Sequence, residues 1–137
     1  MKGLYSADQL ASMSLFTRLS RVDPLDCFKN EGTGFTFIVP EGKAGLAVGK
    51  AGLNIQKLQR ATNKRIKIIE YNPDPCQFVS NIILPLKARK IEKSDSCIRI
   101  HSPDIQSKAR LIGRDKRNLL ALREIFNQYF KEHIEIV

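Results

Sequence analysis

Apolar positions along this chain fall first at helical and then at strand spacing, and the succession occurs twice in the same order. Ser6 with Gln9 three residues on has the form of a capping box, and Leu10, Met13, Leu15, Phe16 and Leu19 predict a helix over about 6–20. Residues 25–29 predict a short strand and residues 30–34 a turn. Phe35, Phe37 and Val39 alternate, the pattern of a strand buried on one face, and Pro40 ends it. A short helix reaching Val48 precedes a glycine loop. Ile55, Leu58 and Thr62 then recur at helical spacing, and Ile66 and Ile68 alternate as a closing strand.

The second half repeats that order. Asp74-Pro75 is a helix start, a capping carboxylate followed by proline at the first helical position. Phe78, Val79, Ile82, Ile83 and Leu86 form one apolar face. Residues 86–93 predict a strand exposed on one side, and residues 97–101 its neighbour. Ser102-Pro103-Asp104 caps a helix carrying Ile105, Ala109 and Ile112. Leu119, Leu122, Ile125, Phe126, Tyr129 and Phe130 predict the longest amphipathic helix, and Ile134 and Ile136 close the unit.

Residue-by-residue alignment of the halves supports a duplication. Val48-Gly49-Lys50-Ala51-Gly52-Leu53-Asn54 aligns with Ile112-Gly113-Arg114-Asp115-Lys116-Arg117-Asn118 at an offset of 64. Pro40 and Pro103 are offset by 63, and Ile66-Lys67-Ile68 and Ile134-Glu135-Ile136 by 68. The growing offset predicts a longer helix in the second copy. The boundary falls in Tyr71-Asn72-Pro73-Asp74-Pro75, giving domains 1–72 and 73–137.

Charge narrows the partners. The chain has 137 residues and a net charge of +9, spread as +5 over residues 1–72 and +4 over residues 73–137. A basic surface that belongs to folded structure points to a polyanion, most often nucleic acid. No apolar run is long enough to span a membrane, and Met1-Lys2-Gly3-Leu4-Tyr5 lacks the apolar core of a secretory signal. A soluble, cytoplasmic protein is expected. Cys27, Cys76 and Cys97 are widely spaced and odd in number, which excludes a disulfide framework and a zinc finger as organising principles.

The glycine loops carry the chemistry. Glycine lets backbone N–H groups approach a phosphate, and the helix that follows adds a favourable dipole. Lys50 or Arg114 supplies charge inside the loop, and an apolar groove beside it can hold unpaired bases. A single Gly-x-x-Gly is weak evidence; two related loops, each after Val or Ile, each between helices and each followed by Asn two positions later, are much stronger. The second departs from the pattern, with Lys116 in place of the last glycine and Asp115 adding negative charge, so a smaller contribution is expected from it.

On these residues the chain resembles a tandem of type II KH domains, particularly the archaeal NusA-like transcription termination and antitermination proteins. The resemblance rests on Val48-Gly49-Lys50-Ala51-Gly52-Leu53-Asn54-Ile55 and Ile112-Gly113-Arg114-Asp115-Lys116-Arg117-Asn118-Leu119, with the flanking strands, and covers nearly the whole chain. It implies an α/β (α+β) fold of two units, each a three-stranded sheet packed against helices. It also implies single-stranded RNA binding in transcription, with RNA polymerase as a further partner. The expected RNA-binding residues are Gly49, Lys50, Ala51, Gly52, Gly113, Arg114, Asp115 and Lys116. Bacterial relatives add a polymerase-binding domain and an S1 domain ahead of the KH pair, and neither is expected here.

Other chemistries fit poorly. Gly45-Leu46-Ala47-Val48-Gly49-Lys50-Ala51 has too few residues between its glycines for a nucleotide-binding P-loop, and Ala51 stands where a hydroxyl is needed. Gly42-Lys43-Ala44-Gly45 reads as a loop-to-helix turn. His101 and His133 have no nucleophile or metal partner in sequence, so no catalytic residue, metal or cofactor is expected. Lys57, Arg60, Lys64, Arg65 and Lys67 could extend an RNA track, but such runs are often merely solvated and are not counted in the site. The competing readings are a ribosome-associated KH protein and a KH-fold protein-interaction module without RNA binding.

Overall fold

The computed structural model describes residues 5–30 and 34–137; most of the turn expected at 30–34 lies outside them. The chain is an α/β protein with two three-stranded mixed sheets packed against helices, and it divides into compact units of residues 1–72 and 73–137.

In the first unit, α1 (Ala7–Ser20) starts with the expected capping box. The Ser6 hydroxyl accepts from the Gln9 N–H, and the Gln9 side chain accepts from the Ser6 N–H. Two of the helix's orphan donors are thereby satisfied. Strand β1 (Asp26–Lys29) pairs antiparallel with β2 (Gly34–Val39), which pairs parallel with β3 (Arg65–Glu70). The parallel pairing needs a long crossover, made by α2 (Ala44–Val48), a 3-10 turn at Lys50–Gly52, and α3 (Leu53–Thr62). Phe16 and Phe37 stack at 4.6 Å in a core with Val22, Phe35, Val39 and Leu58.

The second unit has the same plan. Helix α4 (Pro75–Ile83) is capped by the Asp74 carboxylate, which accepts from the Cys76 N–H. Strand β4 (Lys90–Ser94) runs antiparallel to β5 (Cys97–His101), and β5 runs parallel to β6 (His133–Ile136). The crossover is α5 (Ile105–Ile112), a 3-10 turn at Arg114–Lys116, and α6 (Arg117–Phe126). Phe78, Phe126, Tyr129 and Phe130 form an aromatic cluster with centroids 5.1–6.3 Å apart.

Four expectations are corrected. Strand β2 is buried at all six positions, not on one face: Thr36 and Ile38 are as inaccessible as Phe35 and Phe37. The Thr36 hydroxyl meets its hydrogen-bonding need by donating to the Asn30 side chain. The strand expected over 86–93 begins only at Lys90, because Leu86 donates its N–H back to the Ile83 carbonyl in a turn around Pro85. The last long helix stops at Phe126, not Phe130. The Asn127 side chain donates to the Phe130 and Glu132 carbonyls and holds the chain in a turn there. Finally, α3 and α6 are both 10 residues long. The growth in offset comes from the link between α6 and β6, residues 127–132, against residues 63–64 in the first unit.

Candidate nucleic-acid interface

The structure brings the expected site residues into two separate loops, one in each crossover. In the first, Gly49 has φ 82° and ψ 167°, Ala51 φ 53° and ψ 29°, and Gly52 φ 73° and ψ 16°. In the second, Gly113 has φ 76° and ψ 170°, Asp115 φ 54° and ψ 31°, and Lys116 φ 61° and ψ 21°. Position by position, the two backbones are the same to within about 15°.

Within each loop the two glycine positions make different demands. Gly49 and Gly113 occupy a region of φ and ψ that is essentially closed to other residues. A Cβ there would also lie 2.8 Å from the Asn54 or Asn118 side chain. Glycine is required on both counts. At Gly52 an added Cβ meets nothing within 4 Å, and only the left-handed φ favours glycine. Lys116 takes up that conformation in the second unit, so the missing glycine leaves the loop's shape intact.

Both loops are open to solvent. Lys50, Ala51, Arg114, Asp115 and Lys116 are exposed, and the three glycines are partly so. The helices that follow have no side-chain cap at Gly52 and Lys116, and their first N–H groups, those of Leu53 and Arg117, donate back to the Lys50 and Arg114 carbonyls of the loops. Such an exposed glycine turn at the positive end of a helix lets a phosphate approach closely, with Lys50 or Arg114 contributing charge. The surroundings differ in charge: Lys108, Arg110 and Arg117 stand exposed near the second loop, where the first has Lys43 and Lys57. Leu46 and Leu53 are exposed on either side of the first loop and offer apolar surface. Lys57, Arg60, Arg65 and Lys67 are exposed and Lys64 partly so.

Other titratable groups are held structurally. Burial pushes the Cys27 thiol up to about 12, away from thiolate chemistry. The Tyr5 hydroxyl donates to Asp26, and burial with that neighbouring carboxylate raises the phenol. His101 pairs with Glu92 at 2.7 Å, and His133 is exposed. Among the described residues no group of three His, Cys, Asp or Glu could hold a metal ion, and no helix is long and apolar enough to cross a membrane. The asparagine of each loop was visible in the sequence without a role; the contact beneath the first glycine supplies one.

Residues 34–84 match the family model of the KH domain. That stretch runs from β2 through the first loop to the end of α4. The chain is 33% identical over 82 residues to the probable transcription termination protein NusA of Methanocaldococcus jannaschii. The match covers 60% of this chain and 44% of that protein. It is 28% identical over 115 residues to the protein of the same name from Methanococcus vannielii, covering 84% and 63%. The corresponding Halococcus morrhuae protein is 23% identical over 133 residues, covering 95% and 94%. The chain thus spans about half the length of the first two relatives and nearly all of the third. The crystal structure of APE1850 superposes with a TM-score of 0.72 at 25% identity, over 97% of this chain and all of that one. By sequence likeness, fold and loop together, the chain is similar to the NusA proteins of these archaea, it carries a KH-domain match over residues 34–84, and its two α/β units are consistent with a KH tandem.

Proposed function

We propose that the chain is a single-stranded RNA-binding protein acting in transcription termination or antitermination, with both loops contacting the RNA backbone. Residues 1–72 and 73–137 act as two KH domains. Gly49, Lys50, Ala51 and Gly52 form one contact, and Gly113, Arg114, Asp115 and Lys116 the other. The observation that carries this reading is the recurrence of one exposed loop backbone in both crossovers, each ahead of an uncapped helix. The name shared by the relatives supports the transcriptional role, and RNA polymerase and a cytoplasmic location follow from it.

Phosphate contacts give a salt-dependent, sequence-independent term, while a groove for unpaired bases gives preference for single strands. Titration with an unstructured RNA and with a matched duplex, at several salt concentrations, tests both. Tighter binding of the unstructured strand, weakening as salt rises, is expected. Equal affinity for the two would leave only attraction between charges and overturn the single-strand reading. Undetectable binding of either would favour a protein-interaction module.

A further inference from the structure

We infer that Asn54 and Asn118 are positioning residues that lock the two loops, so that their working signature is Gly-x-x-x-x-Asn and not Gly-x-x-Gly. The consequence for RNA binding rests on the function proposed above; the lock itself does not. The first glycine and the asparagine recur in both units at the same spacing, whereas the last glycine does not.

The contacts explain why those two are kept. Asn54 and Asn118 are each the second residue of the helix that leaves the loop. The Asn54 amide donates back across the loop to the Leu46 carbonyl at 3.2 Å, and the Asn118 amide to the Arg110 carbonyl at 2.7 Å. Both acceptors lie in the last turn of the entering helix, where carbonyls lack a helical partner. One side chain therefore ties the end of one helix to the start of the next. The same side chain fills the space under the first glycine, where a Cβ would come within 2.8 Å of it in either unit. With the asparagine in place, only glycine fits at the first position. These amides are near the surface, so each hydrogen bond is modest, and the packing under the glycine adds to it.

A glycine at the loop's end is then a convenience of backbone energy and not the source of its shape. The second unit shows this directly, because its loop keeps the geometry with Lys116 there.

The test needs two readouts on the full chain. In the free protein, amide hydrogen exchange at residues 50–53 reports the loop without any ligand. Asn54→Ala should speed that exchange about tenfold, the equivalent of one lost hydrogen bond, at a temperature where circular dichroism shows the fold intact. Asn54→Asp keeps the volume and removes the donor, and should do the same. In the bound state, affinity for an unstructured 12-nucleotide RNA should fall about tenfold in both variants. Asn118→Ala should act likewise on exchange at residues 114–117. A double-mutant cycle adds a third check: Gly49→Ala should lower the melting temperature more in the native background than in Asn54→Ala, where the clash is relieved.

Unchanged exchange in both Asn54 variants would overturn the lock whatever RNA does. Faster exchange with unchanged RNA affinity would overturn its part in binding. If the native chain fails to bind RNA, the function proposed above falls, while exchange and the cycle still decide the lock.

Discussion

Loop 49–52 and loop 113–116 share a backbone and differ in what they carry on it. The first has two glycines and one cation, the second one glycine, two cations and a carboxylate. The comparison separates shape from charge. Shape resides in the first glycine and the asparagine five residues on, which are common to both. Charge and the last φ position are free to vary, and they do. A loop judged degenerate by its letters can therefore be intact in its geometry, with its affinity altered only by the side chains it displays.

The sharpest way to break the comparison is to replace the glycine on which both loops depend. Gly49→Ala and Gly113→Ala should each destabilise their unit by about 3 kcal/mol, from the strained φ and the clash together. Thermal denaturation checks this. A much smaller loss at Gly113 would mean that the second loop relaxes where the first cannot.

Charge should separate the loops where shape does not. Lys50→Asp with Ala51→Asp should weaken binding of an unstructured RNA by roughly tenfold or more, the scale of one or two lost phosphate contacts. Aspartate already sits at the Ala51-equivalent position in the second loop with φ 54°, so this variant should remain folded. Arg114→Asp should cost roughly threefold, because Asp115 already opposes a phosphate there and neighbouring cations remain. Asp115→Asn should correspondingly tighten binding. A greater loss at Arg114 than at Lys50 and Ala51 together would make the second loop the main contact.

A smaller effect sharpens the role of the last position. Lys116→Gly should stabilise the second unit by about 0.5–1 kcal/mol, since relief of a left-handed cost of about 1–2 kcal/mol outweighs the greater freedom of glycine in the unfolded chain. Gly52→Lys should destabilise the first by a similar amount. Denaturant midpoints would show both shifts, and no change in either would mean that the φ position carries no strain.

The smallest effect expected is in acid. Asp104 caps α5 by accepting from the Ser107 N–H, which holds its carboxyl below the usual carboxylate range. A depressed folded value contributes stability above the ordinary carboxylate range, lost as pH falls through the depressed value. Asp74 caps α4 in the same unit, while at α2 of the first Lys43 gives no side-chain cap and the Ala44 N–H donates instead to the Glu70 carboxylate of β3. Acidification below the usual carboxylate range should therefore loosen the start of α5, as amide exchange at residues 105–107 would show. Asp104→Asn keeps the cap and should remove that pH dependence; persistence in the variant would place its origin elsewhere.

Much of this was legible in the residues, and the parts that were not share a cause. Caps such as Ser6, Asp74 and Asp104 could be read because their hydrogen bonds reach only two or three residues along the chain. The loops could be read because the repeat placed them between matching neighbours. The end of the last helix could not, because Tyr129 and Phe130 keep the apolar spacing while Asn127 turns the backbone away. The four extra residues of the second copy keep helical spacing for the same reason, although they lie in the link after α6. Full burial of β2 depends on packing across the sheet, which alternation along one strand does not encode. The function of the asparagines needed the contact with a glycine five positions back, which appears only when the loop has closed.

The parallel pairing in each sheet also orders how the units assemble in time. Residues 95–96 alone join β4 to β5, so that hairpin closes locally. The next pairing, Cys97 with His133, spans 36 residues, and its counterpart, Gly34 with Arg65, spans 31. Closing those spans must precede any gain from the third strand, so the hairpins are set to form early and the crossover strands late. Each glycine loop lies midway along the span to be closed. A residue that draws two helices together there shortens the chain still to be ordered, and loosening it should slow refolding more than it speeds unfolding. Stopped-flow refolding of Asn54→Ala beside the native chain would read that partition directly, and an effect confined to the unfolding rate would mean that the loop closes after the sheet.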